Sequence, residues 1–202
     1  MSDMNDAWME LRSQTRGVLA RKRSLLVMGA LVAAMNTHAE IQRVDVPDAT
    51  KAGTFVEMPK LPSLAGWHQD MKRSVDDKAN VLVPDDAALV RAETTIYAKA
   101  FQKSRNPDLK TLEVLIALDK RDFTEHVPGV EIREASPIAT ADGKSFKSLE
   151  YIASAAKDWE RVSYGEEGEF YLIFSVSSSS KAAYDSTQRA YEQLIGQYKE
   201  KP

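Results

Sequence analysis

Cysteine is absent from all 202 residues. Disulfides, thiolate zinc sites, thiol nucleophiles and the acylated cysteine of a lipoprotein anchor are thereby excluded. A cationic excess is missing too: 27 Lys and Arg face 30 Asp and Glu, a formal charge of −3. The clustered basic footprint of a nucleic-acid binder is not there. Histidine occurs three times, in neither the H-x-x-x-H nor the H-E-x-x-H spacing that grips zinc from one helix. No apolar run reaches the ~20 residues a transmembrane helix needs. What remains is ordinary for a folded protein, with 43% hydrophobic and 28% charged residues. A chain of this length can bury an adequate core without disulfides.

The stretch "RKRSLLVMGALVAAMNTHAEIQ", residues 21 to 42, has the parts of an export signal. Arg21, Lys22 and Arg23 form a positive region before the apolar run Ser24 to Met35. Thr37 and Ala39 are small residues at the −3 and −1 positions, which predicts cleavage between Ala39 and Glu40. The run has no polar face, so an amphipathic core helix is disfavoured. It is also too short to span ~30 Å of hydrocarbon as a stable anchor. The polar leader before it is long for a signal, which suggests a translation start near Val18 or Leu19. The expected organisation is a leader and signal over 1–39, an extended segment over 40–66, and a folded domain over 67–202. The domain would be periplasmic or secreted, with no membrane or lipid anchor after cleavage.

Residues 40–66 hold three prolines and no sustained period. "GWHQDMKR" (66–73) reads as a first short strand, followed by a turn, the short apolar run Val81 to Val83 and a Pro-Asp-Asp break. "TTIYAKAF" (94–101) alternates as a strand does. "TLEVLIALDKRDFTEH" (111–126) places Leu112, Leu115, Ile116 and Phe123 at helical spacing before Pro128-Gly129 ends it. Two hairpins follow. One turns at Asp142-Gly143, the other between Gly165 and Gly168. The strand "FYLIFSVS" is apolar on both faces, as a central strand covered on each side would be. Ser180 is a plausible N-cap for a closing helix with the stripe Tyr184, Tyr191, Leu194, Ile195 and Tyr198.

Catalytic patterns fail one by one. Ser178 to Lys181 matches S-x-x-K, but the K-T-G and S-D-N partners of an acyl-transfer site are missing. Gly143-Lys144-Ser145 lacks the earlier glycine of a P-loop, since position 138 is Ile. His68 with Asp70 reads as a surface pair, and His126 as a helix C-terminal cap. Asp76-Asp77, Asp85-Asp86 and Glu166-Glu167 read as solvated turns, lacking the spacing of a calcium loop. Trp67, Trp159 and Tyr164 lie near strand ends beside charges. They are the candidate partner-binding residues if two of them share an exposed patch, and core residues otherwise.

The hairpin "PIATADGKSFKSLEYIA", the strand pair "WERVSYGEEGEFYLIFSVS" and the closing helix resemble the C-terminal half of the PsbP-like and DcrB-like superfamily, over roughly residues 94–200. The resemblance implies an exported accessory or binding domain and transfers no functional residue. With the element order, it leads to an expected α+β fold: a single antiparallel sheet with helices packed on both faces, an α/β/α sandwich. The expected function is noncatalytic recognition of an unknown envelope protein, without cofactor, metal or nucleic acid. A periplasmic hydrolase with a triad assembled by the fold, or a chaperone or immunity protein for a secreted toxin, stand as alternatives.

Overall fold

The computed structural model describes residues 41–45, 55–87 and 92–199. The leader, the signal and the Ala39–Glu40 cleavage site lie outside them. In chain order the elements are β1 (Ile41–Asp45), β2 (Phe55–Pro59), β3 (Trp67–Gln69), α1 (Met71–Asp76), β4 (Asn80–Pro84), β5 (Thr94–Gln102), α2 (Leu112–His126), β6 (Glu131–Ala139), β7 (Ser145–Ala153), β8 (Asp158–Glu167), β9 (Phe170–Ser178) and α3 (Lys181–Gln197).

The expected single sheet sandwiched by helices is not what forms. The chain is mostly β: a seven-stranded antiparallel sheet, ordered β3-β4-β5-β9-β8-β7-β6, stands beside a separate two-stranded sheet of β1 and β2. Three helices of six, fifteen and seventeen residues accompany them among the described residues. The difference arises in residues 40–66, where prolines hide the period. Ile41–Asp45 pairs antiparallel with Phe55–Pro59. This segment is tied to the larger sheet: β2 packs on β5, and Ile41, Leu61 and Leu64 join the core below α3.

Cross-strand partners share a face of the sheet, and the register sorts the residues into two sets. Asn80, Ala98, Phe174, Ser163 and Ser148 form a row on one face. Val81, Tyr97, Ser175, Val162 and Leu149 form a row on the other. The first face carries the core of Ile96, Leu172, Phe174, Val176 and Phe146, under Tyr191, Leu194 and Ile195 of α3. Its helical stripe is buried as the spacing predicted, and the Ser180 side chain caps it by accepting from the Ala183 N–H. Tyr191 donates to the Phe174 carbonyl at 2.9 Å, fixing helix to strand. The second face meets α2 at Tyr151, whose ring stacks on Phe123 at 3.7 Å between centroids.

Two local expectations are corrected. After Gln69 the chain turns into α1, because Asp70 caps it by accepting from the Arg73 N–H; the strand stops three residues after it starts. The β8–β9 turn lies at Gly168-Glu169, with Gly168 at φ +50°, and β8 runs straight through Gly165. Gly165 serves another purpose. A Cβ there would meet three atoms of the Phe146 ring, the farthest at 2.5 Å.

Candidate functional site

Buried polar groups gather on the face toward α2. Asp119 comes from α2, Tyr151 from β7 and Tyr164 from β8, and all three are at most 5% exposed. Tyr164 donates to Asp119 Oδ2, Tyr151 reaches the same oxygen at 3.3 Å, and the two hydroxyls are 2.8 Å apart. Burial first, and the Asp119 charge second, raise the Tyr164 phenol well above its ordinary value. It therefore stays protonated and donates. Such a group is a poor base or nucleophile and a good strut.

A second cluster lies at the end of α1. Arg73 Nε is 2.6 Å from Asp77 Oδ2, the two side chains 19% and 3% exposed, in a geometry that makes an ion pair rather than a directed hydrogen bond. Burial raises the Asp77 carboxyl to about 6 against the opposing charge of Arg73. Tyr97 on β5 is raised by burial and by Asp77, and among the described residues its buried hydroxyl has no hydrogen-bond partner. Lys99, two residues along the strand, is buried as well and lies over the Phe101 ring at 5.1 Å. Both clusters join the sheet to helices, which is a structural task.

The groups presented to solvent are elsewhere. Strand β6 closes one edge of the seven-stranded sheet, and among the described residues it pairs only with β7. Six of its nine residues are exposed and two half-buried, with Ile138 alone buried. Its register with β7 shifts between Ala135 and Ile138, at Pro137, which has no N–H to give a ladder. The carbonyl freed there, on Ser136, accepts from Arg161 Nη2 at 2.9 Å. Arg161 is itself held by Gln188 and Glu192 of α3, at 3.2 and 2.7 Å. Beyond β6, the Ala141 N–H bonds to the Tyr198 carbonyl after α3. The second half of β6 is thus pinned, and Glu131–Ala135 keeps an unbroken register with β7 and, among the described residues, has no strand on its other side. There Arg133 grips Glu131 through two hydrogen bonds of 2.6 and 2.7 Å.

Of the three aromatics singled out in the sequence, Tyr164 is fully buried in the Asp119 network. Trp67 and Trp159 are half-buried and pack against the core under α3. Tyr164 therefore has no surface to share with them. His68 pairs with Asp85 at 3.3 Å rather than with Asp70, which caps α1. His126 Nδ1 meets the Asp122 carbonyl oxygen at 2.9 Å, as a C-terminal cap should. Asp122, Glu125 and His126 could each offer one atom to a cation. Asp77 is buried, not a solvated turn residue, and Glu167 accepts from the buried Tyr198 hydroxyl. Ser178, the first residue of S-x-x-K, hydrogen-bonds Thr94 at 2.8 Å inside the sheet, away from Lys181, which pairs with Asp185.

Sequence reasoning missed Asp77, Lys99, Asp119, Arg161 and the β6 edge. Only the edge left a signal: a proline inside a charged strand marks a sheet border.

Among the described residues the fold and its surface define an antiparallel-sheet protein with a hydrogen-bonded polar interior and an exposed edge strand. No family model matches the chain, and no curated protein matches it. Among solved structures it is similar to PA94, a protein of unknown function from Pseudomonas aeruginosa, with a TM-score of 0.44 and 10% identity. That likeness covers 82% of this chain and 99% of PA94, and at such a score it carries no argument about function.

Proposed function

We propose that the chain is an exported, noncatalytic accessory domain that works in the bacterial envelope by recognising protein, with the open half of β6 as its recognition edge. Export is supported by Arg21-Lys22-Arg23, the short apolar run and the Thr37/Ala39 site. Kinship with the PsbP-like and DcrB-like superfamily belongs to the same reading, supported by the Asp142-Gly143 hairpin, the aromatic strand pair and the closing helix. The observation that carries recognition is Glu131–Ala135. A long edge strand normally invites pairing, and proteins blunt it with prolines, bulges or covers. Among the described residues all those devices sit after Ala135, leaving the first five residues in unbroken register. An extended segment of a partner adds to such an edge through main-chain hydrogen bonds, with side chains choosing the partner.

Two measurements test this. A crosslinking pull-down with C-terminally tagged protein from native cells should recover a stoichiometric partner that Arg133→Glu loses. Recovery unaffected by that change removes β6 from the reading, and no partner above background redirects the search to a small-molecule binder or an enzyme. N-terminal sequencing of the protein from the native envelope should begin at Glu40. A retained leader overturns cleavage.

A further inference from the structure

We infer that the open half of β6 pairs with the same strand of a second copy, forming a two-fold continuous antiparallel sheet in one register centred on Ile132. This rests on the reading of β6 as a recognition edge and names the partner.

The argument is one of register. When two copies of one strand meet antiparallel about a two-fold axis, one residue faces itself and its neighbours face each other crosswise. Opposed residues must also point to the same face of the joint sheet. The sequence here is Glu131-Ile132-Arg133-Glu134-Ala135. Centring the axis on Glu131 sets two glutamates directly opposite. Centring it on Arg133 opposes two guanidinium groups, and on Glu134 two carboxylates again. Like charges directly across a ladder disfavour pairing. Centring it on Ile132 places Glu131 of each copy opposite Arg133 of the other and brings the two Ile132 side chains together. Glu134 then faces Val130. Of these registers it alone sets Glu131 opposite Arg133 twice and puts no like charges directly across the ladder.

The structure prepares the strand for it. Glu131 and Arg133 are 57% and 54% exposed, and point to the same face because they are two residues apart. They already hold each other within the strand, so dimerisation exchanges one partner for an equivalent one. Ile132 and Ala135 are the half-buried residues of this stretch. The Arg161–Ser136 contact and Pro137 stop the ladder beyond Ala135, which limits how far two copies can slide.

The test uses the full chain in sedimentation equilibrium over a concentration series. Wild type should self-associate to a dimer. Glu131→Arg and Arg133→Glu should each weaken it by about tenfold or more, because each sets like charges across the ladder twice. Mixing the two single variants should restore dimerisation as a heterodimer, since every crossed pair is then Arg opposite Glu. Because the chain has no cysteine, Ile132→Cys introduces a single thiol at the two-fold position. Opposed Cα atoms there are ~4.5–5.5 Å apart, within disulfide reach. Mild oxidation should crosslink it far faster than Glu134→Cys. A monomer at every concentration, an association indifferent to both charge reversals, or failure of the mixture to recover overturns the inference. A monomer that still loses a captured partner on Arg133→Glu overturns self-pairing alone and leaves the recognition edge standing.

Discussion

Replacing Gly165 by alanine is the sharpest test of the core, because two effects predict opposite signs. Gly165 lies in the interior of β8, on the face that α3 covers, with a φ outside the left-handed region. On backbone grounds alone alanine should be better there, by about 0.5–1 kcal/mol, since glycine loses more chain entropy on folding. The opposing term is steric. An added Cβ would come within 2.5 Å of Cδ1 of the Phe146 ring and closer still to two other ring carbons. The ring cannot simply retreat: it is 2% exposed and packs on Phe174 and Tyr198 at 5.6 and 6.2 Å between centroids. Overpacking of a dense core costs about 1–3 kcal/mol, so the steric term wins. Gly165→Ala should destabilise by roughly 1–2 kcal/mol net, lowering Tm by about 2–8 °C for a chain of this size. Urea denaturation and thermal melts measure it. The mechanism predicts coupling: in a Phe146→Leu background, which removes the ring, the alanine should be neutral or stabilising. Equal losses in both backgrounds, or a stabilised single variant, would refute the reasoning.

Asp77 should make stability depend on pH. Burial raises its carboxyl from 3.8 to about 6 in the folded protein, so its contribution is fully present below about pH 4 and is lost as pH rises through about 6, by at most about 3 kcal/mol. Asp77→Asn should flatten that part of the profile in denaturant midpoints taken between pH 4 and 7; an unchanged slope contradicts the assignment. Tyr164→Phe takes a donor from the buried Asp119 carboxylate and should cost about 1–3 kcal/mol in urea, whereas a loss below about 0.5 kcal/mol would make the network incidental. Ser180→Ala removes the α3 cap and should cost about 1 kcal/mol, Ser180→Gly only a few tenths. Equal losses would show that the hydroxyl does not cap.

What the sequence revealed was what depends on neighbours in the chain. The stripe of α3 and its Ser180 cap follow from 3.6-residue spacing, and the Asp142-Gly143 hairpin from a dipeptide. Gly143 takes φ +81°, the left-handed conformation that glycine accepts without strain. The failures are equally physical. Two glycines, 165 and 168, offer the same turn signal, and only the ring of Phe146, nineteen positions earlier in the chain, decides that the first belongs to a strand. Residues 66–73 read as one strand because Trp67 is a good strand residue, while the Asp70 cap that starts α1 is a single side-chain hydrogen bond. β1 and β2 are five residues each, too short for a period to emerge among prolines.

The polar interior was illegible for a deeper reason. Asp119 sits among charged residues on a helix whose surface should be charged, and Tyr164 beside an acidic turn; each alone looks solvated. They become a network because α2 crosses the face on which Tyr151 of β7 and Tyr164 of β8, four register positions apart, bring their hydroxyls together, and that crossing is a property of topology. The same reasoning separates the two kinds of polar residue in the chain. Asp119, Tyr151 and Tyr164 are buried and hydrogen-bonded to one another, so they hold the sheet and helix together. Glu131 and Arg133 satisfy each other only within one exposed strand, in an order whose reversal is its own complement. A residue pair of that kind can change partners without leaving a charge unpaired, which is what a recognition edge requires and a buried network forbids.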